Sequence, residues 1–229
     1  MVGGIVGDGD ESSKAGSSGV EGPTRRTAIE DLRLRQIKNY LASLLLSQGV
    51  PMMLMGDECR RTQRGNNNAY CQDNAIAWFD WKLVERNNGL LRFVRELIAF
   101  RKKQPTVRRA NFLTGQALRP NELPDVNWFG AAGEAIDWVN PGHSLVCLFG
   151  ASGLDQPTAR HVLLMAHSGA APQEFVIPPV AAHIPWRLFV DTATPTPADI
   201  FPLLDGPAPL DGATTLAHHS LKCYVGWSQ

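Results

Sequence analysis

The sequence carries no surplus of charge: in 229 residues, 22 basic side chains are balanced by 22 acidic ones, for a formal net charge of zero. That balance removes the electrostatic drive toward nucleic acid or an anionic membrane as the main partner. No apolar run approaches the roughly 20 residues that a membrane-spanning helix needs. The opening MVGGIVGDGDESSK has no basic segment ahead of its short apolar patch, so it does not read as a secretory signal. Cysteine is scarce: Cys59, Cys71, Cys147 and Cys223 are irregularly spaced, with no CxxC pair. This argues against a zinc ribbon or a disulfide framework and for free thiols acting as small hydrophobes in a reducing cytoplasm. His218-His219 has no partner at ligand spacing, so it reads as surface, and neither metal nor cofactor is expected. What is present is enough apolar material, 44% against 19% charged, to build a core.

Residues 1–27 are rich in Gly, Ser and acid with no periodic apolar face, and they read as a disordered leader. Helical spacing then begins: Ile37, Leu41, Leu44 and Leu45 predict a helix over 35–47, closed by Gly49 and Pro51. The run VPMMLM at 50–55 is apolar on both faces and predicts a strand buried on both sides, as in a parallel sheet. A polar loop over 56–80 follows, too long for a plain connector and of the kind that carries function. Leu90, Leu91, Val94, Leu97 and Ile98 predict a second helix over 90–103, with Arg92, Arg95, Glu96 and Lys102 on its other face and Pro105 ending it.

Beyond Arg109, prolines and glycines punctuate short β-like runs at 144–149, 162–166, 174–177, 186–190 and 220–227. In the last of these, Leu221, Cys223, Val225 and Trp227 alternate with Lys222, Tyr224 and Gly226, which predicts a half-buried strand. The fold class is therefore α/β plus all-β, in three parts: the leader 1–27, an α/β piece over 28–109 and an antiparallel β-sandwich over 110–229. The α/β piece cannot be a complete domain, because one parallel strand has no partner to bond. Either the chain is truncated at its amino end, the favoured reading, or it completes a sheet supplied by another polypeptide.

The loop run RTQRGNNNAYCQDN at 61–74 with AIAWFDW at 75–81 resembles isoamylase-type glycogen debranching enzymes of the family 13 glycoside hydrolases. LLLSQGVPMMLMGDE at 44–58, GVEGPT at 19–24, RELIAFRKKQP at 95–105, PDVNW at 124–128 and Asp137-Trp138 extend the likeness over nearly everything from residue 19. The resemblance implies the C-terminal end of a (β/α)8 barrel, its last strand at 50–55 flanked by the two helices, followed by a β-sandwich. It places the 56–80 loop at the barrel's C-terminal face, where active sites of that fold are built. The sequence departs from the family at Cys59-Arg60, where such enzymes typically have an aromatic residue and glycine.

The resemblance also implies retaining hydrolysis of α-1,6 branch points by a nucleophilic carboxylate and a carboxylic acid. Both are expected upstream of this chain, so no catalytic residue is assigned and the chain alone is expected to be inactive. Asp57 and Glu58, adjacent at a strand end, point in opposite directions, and Asp73 and Asp80 suit turn capping. Substrate contact is assigned to Asn66, Asn67, Asn68, Tyr70, Gln72 and Asp73, which offer planar amides for hydroxyls and an aromatic face for stacking. A loop that hydrogen-bonds only to itself weighs evenly against that reading. Arg61 and Arg64 suit bracing of the carboxylates. Trp78, Trp81, Trp128 and Trp138 could stack on sugars, though packing anchors between modules is the favoured role. The partner expected is an α-glucan, with a separately encoded N-terminal half as a second partner and a non-catalytic glucan- or partner-binding module as the alternative function.

Overall fold

The computed structural model describes residues 20, 22–120 and 122–227. Most of the leader expected over 1–27 therefore lies outside the described residues. The chain runs through α1 (Thr27–Leu46), α2 (Lys82–Arg86) and α3 (Asn88–Lys103) before entering the strands. These are β1 (Asn127–Phe129), β2 (Ser144–Phe149), β3 (His161–His167), β4 (Gln173–Val176), β5 (Arg187–Asp191), β6 (Ala213–Leu216) and β7 (Ser220–Gly226). All pairings are antiparallel: five strands form one sheet in the order β1-β2-β3-β7-β5, and β4 pairs with β6.

The five-stranded sheet is covered on both faces. Cys147, Phe149, Val162, Leu221, Cys223 and Val225 project toward the helices and meet Leu41, Leu45, Phe93 and Leu97. The alternate residues Val146, Leu148, Leu163, Met165 and Tyr224 meet Phe175 and Leu216 of the two-stranded sheet. Period-two alternation thus feeds two cores. In β5 the register shifts between Leu188 and Val190, so Phe189 and Val190 both fall on the helix side while Leu188 faces the other core. Phe100 of α3 stacks on Phe189 with ring centroids 4.1 Å apart.

Two expectations change. β7 is buried at six of its seven positions instead of half-buried, because it lies between β3 and β5 with a core on each side. Residues 50–55 form no strand, and Val50, Met52, Leu54 and Met55 are 95%, 89%, 62% and 64% exposed. An isolated segment has no ladder partner, and among the described residues no strand lies alongside to supply one. Strands β1 and β6, three and four residues long, fall below any readable period and are set by the pairings Trp128↔Cys147 and Phe175↔Thr214.

The helices dock by polar contacts as well as apolar ones. Arg101, buried, donates to the carbonyls of Leu45 (2.9 Å), Ser47 (2.6 Å) and Gly49, closing the end of α1 where unpaired carbonyls gather. Asn39 on α1 donates to the His219 carbonyl at 2.9 Å and accepts from Thr192 Oγ1 at 2.6 Å. Arg35 donates to the His218 carbonyl at 2.8 Å. His218 and His219 are accordingly half-buried under α1, not at the surface.

Candidate functional site

The 56–80 loop leaves the helix layer through Gly56, whose φ of 103° lies in the left-handed region. A Cβ there would meet Arg61 Cβ at 2.5 Å, so glycine is required twice over. Asp57–Cys59 is a single 3-10 turn, not a strand end. Asp57 accepts the Leu54 amide at 3.3 Å and Glu58 the Gly56 amide at 2.8 Å, so both carboxylates fasten their own turn. Cys59 is buried, and burial, with the neighbouring Glu58 and Asp57 charges, raises its thiol above the usual range. It is unsuited to nucleophilic chemistry.

Arg60 also sits in the left-handed region, φ 62°, where a side chain costs about 1–2 kcal/mol. The resemblance implies glycine at this position. Its guanidinium reaches Glu30 of α1 at 2.9 Å, and the pair holds the Glu30 carboxyl below its ordinary value. Arg61 does not brace a carboxylate: it donates to the Ala77 carbonyl at 2.8 Å and to Gln63 Oε1 at 3.2 Å, bridging the two arms of the loop. Asn87, which the sequence did not single out, donates to the Cys59 carbonyl at 3.0 Å and ties the loop to the start of α3.

Beyond this braced base the loop is built from side chains that bond the backbone two residues on. Asn66 Oδ1 accepts the Asn68 amide at 2.9 Å, Asn68 Oδ1 the Tyr70 amide at 3.1 Å, and Asn74 Oδ1 the Ile76 amide at 2.9 Å. Gln72 Oε1 accepts from Asn74 Nδ2 at 3.0 Å. Asp80 accepts the Lys82 amide at 3.0 Å and starts α2, whereas Asp73 accepts from Trp78 Nε1 at 2.8 Å and fixes the indole.

Of the six residues assigned to substrate, Asn67, Asn68, Tyr70 and Asp73 are exposed, while Asn66 and Gln72 are half-buried. The self-bonding consumes the Asn66 and Asn68 oxygens but leaves the Tyr70 ring, 97% exposed, and Asn67 at the surface. Trp78 and Trp81 are 62% and 76% exposed, so they are not packing anchors within this chain. Phe79 meets Trp81 edge-on, with ring centroids 4.8 Å apart. The loop thus presents aromatic faces and amides together, and of its arginines Arg60 is paired with a carboxylate, that of Glu30. Among the described residues no cluster of His, Cys, Asp and Glu could hold a metal, and no helix is long and apolar enough to cross a membrane.

No protein-family model matches the chain. Curated relatives do. The glycogen operon protein GlgX homolog of Mycobacterium tuberculosis is 36% identical over 200 residues, which is 82% of this chain and 28% of the relative. Isoamylase 3 of Oryza sativa is 35% identical over 196 residues, 85% of this chain and 23% of the relative. The glycogen debranching enzyme of Dickeya chrysanthemi is 39% identical over 141 residues, 60% of this chain and 20% of the relative. Among solved structures, a type I pullulanase of Bacillus subtilis with maltose superposes with a TM-score of 0.63 at 19% identity, covering 90% of this chain and 25% of that one. A pullulanase of Anoxybacillus gives 0.61 at 20% identity, with 86% and 24% covered. These structures share the β-rich fold. Over the segment it shares with them the chain is similar to glycogen debranching proteins and isoamylases, and it spans about a quarter of the length of these relatives.

Proposed function

We propose that this chain is the closing portion of a cytoplasmic debranching α-1,6-glucosidase, with residues 28–109 ending a (β/α)8 barrel and 110–229 forming its β-sandwich. Its part is to hold α-glucan through the 56–80 loop, and the two catalytic carboxyl groups of a retaining mechanism, about 5 Å apart in such enzymes, come from elsewhere. The observation that carries this reading is a loop that fixes its own backbone through Asn66, Asn68 and Asn74 while leaving Tyr70 and Asn67 open. A sugar needs that combination, an aromatic face beside free amides on a pre-ordered frame. The remaining loop carboxylates support the non-catalytic part: Asp57, Glu58, Asp73 and Asp80 each serve a separate local hydrogen bond.

The test is cosedimentation with glycogen. Tyr70→Ala is expected to weaken retention about three- to tenfold, the worth of one aromatic contact of roughly 0.5–1.5 kcal/mol. Retention unchanged in Tyr70→Ala and in Asn67→Ala would remove the loop from the binding surface.

The bare apolar run at 50–55 favours a second reading, in which a separately encoded N-terminal half seats on it. Debranching lost on deleting either half and regained on co-expression supports that reading. Failure to regain it contradicts it.

A further inference from the structure

A second surface with sugar-binding chemistry lies away from the loop, where α1 crosses the open ends of β2, β3 and β7. A cleft of about 350 Å³ there is lined by Trp138, Gln36, Asn39, Ser43, His143 and Ser168, among others. Its volume is at the lower end of the range for small-ligand sites, about 300–1,000 Å³. A smaller cleft of about 270 Å³ adjoins it and shares the wall from Pro141 to Ser144.

Among the described residues no Asp, Glu, Lys or Arg lines the larger cleft. The chargeable groups among its lining residues are the imidazoles of His143, His167 and His219, and hydroxyls and amides share the wall with the apolar Leu145, Ala166 and Leu221. Trp138 is 63% exposed, and its ring is set by an edge contact with Trp128 at 5.7 Å between centroids. The turn beneath it is held by Asp137, which accepts the Val139 amide at 2.8 Å and the Asn140 amide at 3.3 Å. A large exposed indole braced edge-on against Trp128 is an aromatic platform open to a ligand.

The polar wall is ordered too. Asn39 is fully engaged, donating to Gln36 Oε1 at 3.0 Å and to the His219 carbonyl, which fixes Gln36 by its oxygen and leaves the Gln36 amide hydrogens to a ligand. His167 Nε2 faces the Ala171 carbonyl at 2.7 Å and so carries the proton. Nδ1 then accepts from Ser144 Oγ at 3.1 Å.

We infer that this cleft is a second α-glucan site on the sandwich, with Trp138 stacking on a glucosyl ring and the Gln36 amide and Ser43 and Ser168 hydroxyls meeting its hydroxyls. The inference rests on the α-glucan reading above. An uncharged polyhydroxyl chain matches a cleft whose described lining holds no carboxylate, ammonium or guanidinium, and a second contact lets one branched polymer engage the chain at two points.

Calorimetric titration of the 229-residue chain with maltoheptaose tests it. In the Tyr70→Ala background, Trp138→Ala is expected to lower affinity a further three- to tenfold, and Trp138→Phe to keep most of it. Binding that Tyr70→Ala abolishes and Trp138→Ala leaves untouched would overturn the cleft while the glucan reading stands. No heat from the wild-type chain would overturn both. Should Trp138→Ala fail to fold, the indole N–H resonance of Trp138 in the wild type decides: it shifts on adding maltoheptaose if the cleft is a site, and stays fixed if it is not.

Discussion

His161, at the start of β3, is 5% exposed, and its Nδ1 accepts the Ala151 amide at 3.0 Å. Burial, with a smaller push from His183, lowers its pKa from 6.5 to about 4. The folded pKa lies below the unfolded one, so the unfolded chain takes up the proton first as pH falls. Stability from this group is therefore complete above pH 6.5 and is lost between 6.5 and about 4, by on the order of 3 kcal/mol in the limit. Chemical denaturation across that window is expected to show the loss, and His161→Gln to flatten it. Glu30 and Asp125 also sit below their ordinary values, Asp125 because the Thr114, Gly115 and Val126 donors outweigh its burial. Their contributions fade at lower pH and are common to both proteins, so the difference isolates His161. An equal slope in the variant would contradict this. At the same scale, turn chemistry was legible: an Asn two residues before an amide bonds it, as Asn66, Asn68 and Asn74 do. The Trp78–Asp73 and Arg60–Glu30 bonds were not, since both depend on how chain segments meet in space.

Elements are joined through Asp199, in the proline-rich connector after β5. It is fully buried, with Lys38 of α1 on one oxygen at 2.7 Å and Arg92 of α3 on the other. Thr196 Oγ1 adds a bond at 2.9 Å, and Lys38 also lies 5.6 Å from the Phe93 ring centroid. One carboxylate thus bolts both helices to the sheet. Asp199→Ala leaves Lys38 buried without its partner and is expected to cost about 3–5 kcal/mol in urea denaturation. A loss below 1 kcal/mol would show the triad to be incidental. Lys38 falls within the apolar stripe of α1, but only the fold reveals that its partner is more than 150 residues away. Strands such as β2 were legible to the residue because their alternating residues feed two cores. The 50–55 run was misread for the converse reason: composition fits a buried strand, but pairing makes one, and among the described residues no strand lies beside it.

Taken whole, the described molecule is a sheet with helices on one face and a two-stranded ribbon on the other, and bare aromatic and apolar groups are found in 50–55, in the loop with Trp81 and at Trp138, as well as at scattered positions such as Phe112 and Leu203. The family likeness was legible because a long improbable run, 61–74, carries it. The cleft was not, since its walls come from α1, β2, β3 and the turn at 137–140. The central claim, a glucan-holding portion without its own catalytic pair, meets its most direct test in one tube: the 229-residue chain with glycogen, assayed for retention in the pellet and for newly released reducing ends. Retention with no release is expected. Released reducing ends, or a chain left wholly in the supernatant, would contradict it.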